Sequence, residues 1–137
     1  MDIKRLAIGT LVGGIVVYGA GVLIFDMAFR DFYAANVGSA TGVDRTQQVF
    51  WAVMLGALGY AALVTLAIGS RPGSASIAAS ATAGAVVGCL IWFTADFTLY
   101  SITNIQNLTR SVVDPMLELV RGGIAGGVIG LVLGKIG

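Results

Sequence analysis

The sequence predicts an all-α fold, an integral membrane four-helix bundle with tight glycine-mediated helix packing, and three observations predict it. Hydrophobic residues make up 57% of the 137 residues and charged residues only 11%, whereas a soluble domain carries about 25% charged residues. Four apolar segments follow one another along the chain, and each is close to the ~20 residues that a helix needs to cross the bilayer. Small residues recur at every fourth position in three of these segments, a pattern that permits close helix contacts in membranes.

The four apolar segments are residues 6–25, 49–68, 77–95 and 116–136. With their polar flanks they predict helices at about 4–37, 44–69, 75–103 and 114–136, all within a single transmembrane domain of residues 1–137. Strands of a membrane barrel would be about half as long and would alternate polar with apolar residues. The first segment has 20 residues, longer than the roughly 7–15 of a signal peptide, so we interpret it as a retained spanning helix.

Local signals set the predicted helix ends. Gly38 is suited to the position just after the first helix, because glycine adopts the backbone conformation that commonly ends helices. Thr41 or Asp44 can cap the start of the second helix. Residues 69–74 are rich in helix breakers and predict a turn before the third helix. The Asp-Pro pair at 114–115 predicts the start of the fourth helix, with Asp as the cap.

Polar side chains are concentrated where the four helices end on the side opposite the termini. Asp96 interrupts an apolar segment, and we expect it to be internal, either paired with Arg121 or Arg30 or donating a hydrogen bond as a protonated acid. Asp26, Arg30 and Tyr33 would share one face of the first helix, as would Asp114, Glu118 and Arg121 of the fourth. The candidate cluster is Asp26, Arg30, Tyr33, Gln48, Asp96, Tyr100, Asp114, Glu118 and Arg121. The alternative is that these are interfacial charges that extend to water and hold helix ends together.

Six glycines are candidates for helix packing: Gly84, Gly88, Gly122, Gly126, Gly130 and Gly134. Glycine inside a helix lowers the stability of the helix by about 1 kcal/mol relative to alanine. In membranes it allows the backbones of two helices to approach closely. Two interpretations stay open. The glycines pack within one bundle, or they form a zipper between subunits.

Several chemistries lack the residues they need. The chain has no histidine and a single cysteine, Cys89, in an apolar setting. We therefore predict no internal disulfide, no metal site, no cofactor and no catalytic residue. The net charge is +1, which gives no bias towards nucleic acid.

Three stretches carry a resemblance to a known family. FDMAFRDFYAANVG at 25–38, TADFT at 94–98 and SVVDPMLE at 111–118 resemble the motifs of an uncharacterised bacterial family of small four-helix membrane proteins, known only as a domain of unknown function. Asp26, Asp96 and Asp114 are the matching positions. The family's Asn after the third-helix Asp is Leu99 here, and its Trp-Gly is the Leu-Glu pair at 117–118. The resemblance implies a four-helix membrane fold and brings no activity with it.

The predicted function is a non-enzymatic assembly or accessory subunit, a homo-oligomer or part of a larger membrane complex, with the lipid bilayer as its main partner. We expect it in a bacterial inner membrane with both termini in the cytoplasm, because Lys4 and Arg5 adjoin the first helix. One alternative is a small-solute or ion carrier that uses Asp96 as a protonatable site. A second is a membrane enzyme that acts on a lipid headgroup at the acidic end.

Overall fold

The computed structural model describes residues 1–69 and 76–136. In that part of the chain the helices are α1 (Ile3–Gly21), a π-helical segment (Val22–Ala28), α2 (Arg30–Ala35), α3 (Phe50–Gly69), α4 (Ile77–Ile102) and α5 (Leu108–Lys135). The predicted turn at 69–74 falls, after Gly69, outside the described residues. The long helices pack against one another as an all-α four-helix bundle, which confirms the predicted fold class.

Within residues 1–69 and 76–136, four helical stretches are long and apolar enough to cross a membrane: Ile3–Ala28, Phe50–Gly69, Ile77–Ile102 and Leu108–Lys135. Their outward faces are apolar, and Leu11, Ile15 and Leu90 are each 58–69% exposed. A soluble monomer rarely exposes so much contiguous apolar surface, whereas lipid is a suitable solvent for it. The chain is therefore a multi-pass membrane protein. Its two termini lie at the same end of the bundle, where the Arg5 guanidinium donates to the Leu133 carbonyl at 3.0 Å.

Glycines bring α4 and α5 into backbone contact. A Cβ atom built on Gly84 would lie 2.8 Å from the Cα of Gly126, and one built on Gly126 would lie 2.9 Å from the Cα of Gly84. A Cβ on Gly122 would be 2.9 Å from the Gly84 carbonyl carbon, and one on Gly130 would overlap the side chain of Ser80. These four glycines are thus in contact within the chain, and any side chain there would push the two helices apart.

The remaining candidate packing glycines differ from each other. A Cβ on Gly88 would lie 2.8 Å from the Glu118 carbonyl oxygen, so Gly88 also belongs to the contact between α4 and α5. Gly134 has no atom within 4 Å of where its Cβ would stand. Gly134 therefore does not pack against another helix within the described chain, because it lies on an exposed part of α5 near the helix end. Its packing between subunits stays a prediction.

The first predicted helix does not run unbroken to residue 37. After Gly21 it widens into the π-helical segment, where the Phe29 N–H donates to the Ile24 carbonyl five residues earlier at 2.8 Å. Phe29 then leaves helical geometry (φ −110°, ψ 17°), and α2 ends at Ala35. The extra residue per turn and the break at Phe29 rotate α2 relative to α1, so Asp26, Arg30 and Tyr33 do not share one environment as predicted.

The second predicted helix starts later than either expected cap. Neither Thr41 nor Asp44 caps it, because α3 begins at Phe50. The chain before it is held by the loop between α4 and α5: Gly38 N–H donates to the Ile105 carbonyl and Ala40 N–H to the Asn104 carbonyl, both at 2.9 Å.

Gly38 therefore serves a close backbone approach and does not end a helix. A Cβ atom there would lie 2.9 Å from the Gln106 nitrogen.

The fourth predicted helix starts seven residues earlier than the Asp-Pro pair indicates. Asn107 is the cap, and its Oδ1 accepts from the Arg110 N–H at 2.9 Å. Pro115 lies inside α5, and Asp114 is 7% exposed. Proline inside a helix removes one backbone hydrogen bond, but asparagine is as strong a cap as aspartate. The helix therefore begins after Asn107, and Asp114 lies within the second turn of α5.

Candidate functional site: a buried carboxylate network and a cavity

Asp96 lies inside the bundle near the end of α4 and is 2% exposed. The amide of Gln106 donates to Asp96 Oδ1 at 3.1 Å and to Ser111 Oγ at 2.8 Å. The other oxygen, Asp96 Oδ2, is buried and has no hydrogen-bond donor among the described residues. Neither expected ion pair forms among the described residues, since Arg121 bonds to Glu118 and Arg30 is exposed. The other alternative, a protonated Asp96 that donates a hydrogen bond, stays a prediction.

Asp114 of α5 lies between Asp96 of α4 and Tyr33 of α2 and contacts both. Its carboxyl group lies within hydrogen-bonding reach of the Asp96 carboxyl. The Tyr33 hydroxyl donates a short hydrogen bond to Asp114 Oδ1. The Arg110 guanidinium lies over the Tyr33 ring, 5.0 Å from its centroid.

Tyr33 lies outside the spanning segments, and its electrostatic surroundings can be stated. Burial raises the pKa of the Tyr33 phenol well above its usual range, and the hydrogen bond to Asp114 raises this pKa further. The phenol therefore stays protonated and continues to act as a donor.

Glu118 and Arg121 form an ion pair one turn further along α5. Arg121 Nη1 donates to Glu118 Oε1 at 3.0 Å, and the Glu118 side chain is 1% exposed. The Tyr60 hydroxyl of α3 donates to Glu118 Oε2, also at 3.0 Å. Arg121 Nε donates to the Val17 carbonyl of α1 at 2.9 Å. Both Glu118 oxygens thus have donors, and the pair connects α1, α3 and α5.

A cavity of about 420 Å³ adjoins this ion pair. Its walls come from the end of α1, the π-helical segment, the loop before α3, α3 itself and α4, and Arg121 is its one lining residue from α5. Along α3 it extends from Val53 to Leu63, a rise of about 15 Å, which is about half of the ~30 Å hydrocarbon thickness of a bilayer. Its size falls within the roughly 300–1,000 Å³ range of small-molecule sites.

The predicted cluster therefore divides into parts. Asp96, Asp114 and Tyr33 are together, and Glu118 with Arg121 follows one turn away. Two further candidates line the cavity and are otherwise exposed, namely Asp26 and Gln48. Two candidates lie apart from the buried network on exposed surface, namely Arg30 and Tyr100.

Sequence reasoning missed four residues that build the site. Gln106 and Ser111 lie in a stretch predicted as loop, where nothing distinguishes them from other polar residues. Tyr60 and Trp92 lie in apolar helices, for which the sequence predicts only a spanning role. A hydroxyl-bearing aromatic residue in the middle of a spanning helix does signal a buried partner, since such a group needs a hydrogen bond.

The site offers carboxyl groups, phenols and one guanidinium. Among residues 1–69 and 76–136, no group of three or more potential ligands could hold a metal ion. Buried carboxyl groups in contact can accept and release protons, and the guanidinium can bind an anion. Comparisons with models of protein families, with curated proteins and with solved structures gave no match. The family resemblance thus stays a prediction.

Proposed function

We propose that the protein is a proton-coupled membrane carrier in which Asp96 and Asp114 bind the proton. One observation carries the proposal. The two carboxyl groups are 2% and 7% exposed, lie within hydrogen-bonding reach of each other, and form no ion pair among the described residues.

Electrostatics favours a shared proton in this pair. Two ionised carboxylates have no proton to form a hydrogen bond between them and repel each other at short distance, so a buried pair retains one proton. Gln106 and Tyr33 each supply one hydrogen bond to the pair and no charge, so they do not neutralise it as an ion pair would. Ionisable groups at this depth in a membrane are characteristic of proton relays and ion pathways.

The rest of the network supports a path for the proton. Glu118 lies one helical turn from Asp114 and interacts with it electrostatically. Tyr60 and Arg121 connect Glu118 to the cavity, which both of them line. A solute in the cavity would therefore be close to groups that change charge when a proton moves, which is the physical requirement for coupling.

Orientation and location belong to the same proposal. The membrane is a bacterial inner membrane, and the termini face the cytoplasm because Lys4 and Arg5 flank the first helix. The mouth of the cavity, near Asp26 and Gln48, then faces outwards.

The test is proton movement in liposomes that contain the purified protein and a pH-sensitive dye. Addition of small organic anions and cations, one at a time, should give one class that acidifies the lumen. Asp96→Asn, which is close in shape but cannot release a proton, should abolish the acidification. Asp31→Asn is the matched control, because Asp31 is exposed on α2. Unchanged flux in Asp96→Asn would rule out the proposal.

The second candidate function is an assembly or accessory subunit. The glycines between α4 and α5 are packed against each other's helix within the chain and do not face another subunit. At Gly19 of α1 and Gly59 of α3, by contrast, a Cβ would meet no other element of the described residues within 4 Å. A helix of another subunit could approach closely at such positions. Copurification of a protein in mild detergent that Gly59→Leu prevents would favour this function.

A further inference from the structure

We propose that the cavity beside Arg121 binds an organic monocarboxylate with an apolar body, and that Glu118 takes up one proton when the anion binds. This inference deepens the carrier proposal by naming its substrate class. It depends on that proposal for transport, but the binding of the anion stands independently of it.

The position of the ion pair determines the charge of the ligand. Arg121 borders the cavity and its side chain is 15% exposed, whereas Glu118 lies behind it at 1% and does not line the cavity. A ligand that has passed Asp26 at the cavity mouth therefore meets the guanidinium before it meets the Glu118 carboxylate. An anion would be attracted and a cation repelled at this contact.

Arg121 also has donors to spare. Its Nε is bound to the Val17 carbonyl and its Nη1 to Glu118, while Nη2 makes no hydrogen bond among the described residues. Nη2 lies against Gly21, where a Cβ would be only 2.8 Å away, and Gly21 itself lines the cavity. A carboxylate is the anion whose two oxygens match the paired N–H groups of a guanidinium.

The walls of the cavity determine the rest of the ligand. Most of the lining is aliphatic or aromatic, including Phe25, Val53, Leu63, Ile91 and Trp92. A volume of about 420 Å³ accommodates a medium-length acyl chain or an aromatic ring attached to the carboxylate. A small, strongly hydrated anion would lose its water shell to apolar walls and gain only one partner.

Charge balance couples the anion to a proton. The Glu118–Arg121 pair is neutral, so a bound anion would leave one uncompensated negative charge in a low-dielectric site. When the ligand carboxylate replaces Glu118 Oε1 at Arg121 Nη1, Glu118 takes up one hydrogen ion from the solution at the cavity mouth, where H3O⁺ becomes water. The Tyr60 hydroxyl stays on Glu118 Oε2. One anion and one proton enter together, and the net charge of the site is unchanged.

Other titratable groups lie around Glu118 and the cavity, and each of them could also make the binding of the anion depend on pH. They come from every element packed there: Tyr33 of α2, Tyr60 of α3, Cys89 of α4 beside Tyr60, Asp26 at the cavity mouth, and Asp114 and Arg121 of α5. Replacement of Glu118 alone therefore decides whether the proton is taken up there.

The binding experiment uses the full chain in phosphatidylcholine nanodiscs and the fluorescence of Trp92. The chain has two tryptophans, so in a Trp51→Phe background the emission comes from Trp92, which lines the cavity. The probes are octanoate, octanamide and octyltrimethylammonium, which share one apolar chain and differ in charge. Octanoate should bind, and its affinity should rise about tenfold for each unit of pH lowered, above about pH 6 where the probe is ionised.

Variants assign the effect to the two residues. Glu118→Gln should bind octanoate with no pH dependence, and the further change Arg121→Ala should weaken that binding about tenfold or more. Neither the single nor the double variant has the Glu118 carboxylate, so the loss of Arg121 does not leave a buried negative charge without its partner. Arg45→Ala, at an exposed arginine, is the control for loss of a positive charge and should bind as the parent does.

Three results would overturn the inference: equal binding of octanamide or the cation, equal binding with and without Arg121 in the Glu118→Gln background, or pH dependence that persists in Glu118→Gln. Failure of the carrier proposal is distinguishable from these. If octanoate binds but no proton flux is seen, the carrier proposal is ruled out and the anion-site proposal stands. Proton flux without octanoate binding would remove the anion site alone.

Discussion

The Nε of Arg121 donates a hydrogen bond to the backbone carbonyl of Val17, 2.9 Å away and 104 residues earlier in the chain. The same guanidinium forms the ion pair with Glu118 and lies 5.4 Å from the ring centroid of Tyr60 and 5.5 Å from that of Phe25. A cation over an aromatic ring adds attraction to the hydrogen bonds. Arg121 therefore joins α5 to α1, to α3 and to the π-helical segment.

Arg121→Ala should lower the free energy of unfolding by about 3–5 kcal/mol, because it leaves a buried carboxylate without its cation. Glu118, at 1% exposure, has no other positively charged partner among the described residues. The measurement is reversible unfolding in mixed micelles followed by circular dichroism. Arg45→Ala, which removes an exposed arginine, should change stability by less than about 1 kcal/mol. A loss equally small for Arg121→Ala would mean that Glu118 is neutral in the native protein.

Gly126→Ala should lower stability by about 1–3 kcal/mol, the usual cost of adding atoms to a packed contact. A Cβ there would lie 2.9 Å from the Gly84 Cα, and the atoms it meets are backbone that cannot turn aside. Gly59→Ala and Gly134→Ala are the matched controls, since neither Cβ would contact another element of the described chain within 4 Å. Both controls should be neutral or stabilising, because alanine favours helix more than glycine does. The comparison fails if Gly126→Ala unfolds no earlier than the controls.

The long helices could be predicted from the sequence because lipid imposes one strong requirement, an apolar segment of sufficient length. The ends of the helices were harder to predict, because local capping signals are weaker and more than one residue can serve as a cap. At the start of α5, Asn107 and Asp114 are both good caps, and only the contacts of the preceding loop with residues 37–40 select Asn107. The π-helical segment after Gly21 carries no distinct local signal, so the break at Phe29 could not be foreseen.

The site was foreseen only in part, for a related reason. Asp96 is recognisable as an internal residue because a charge within an apolar segment is costly. Its partners depend on how the loops fold back. Gln106 reaches it from the loop before α5, and Asp114 reaches it only because α5 starts early enough to bury that residue. Arg121, one of the two expected partners, is instead paired with Glu118, three residues away on its own helix.

Tyr33 should remain protonated at a pH where an unfolded tyrosine ionises, about 10, since burial and the bond to Asp114 raise its pKa in the folded protein. A group with a raised folded pKa contributes stability that is fully present below its unfolded pKa and is lost as the pH rises through the folded value. Its contribution is therefore constant up to about pH 10 and falls only above that.

The measurement is ultraviolet titration of tyrosinate in wild type and Tyr33→Phe. The chain has four tyrosines. In denaturant the variant should lose about a quarter of the absorbance change. In the folded protein between about pH 10 and 11, the two proteins should give equal changes. A smaller change in the folded variant would show that Tyr33 ionises normally and that its bond to Asp114 is absent.

Gln106→Leu should lower stability by about 1–3 kcal/mol, the cost of leaving buried polar groups without partners. Gln106 is 5% exposed, and its amide is the donor to both Asp96 Oδ1 and Ser111 Oγ. Asn104→Leu is the control in the same loop, because that side chain is exposed. The same change made in an Asp96→Asn background separates the two acceptors. If the loss comes mainly from Asp96, it should shrink there, because an unpaired neutral amide costs less than an unpaired carboxyl group in contact with a second one. An equal loss in both backgrounds would assign it to Ser111 and to packing, and would remove Gln106 from the proton site.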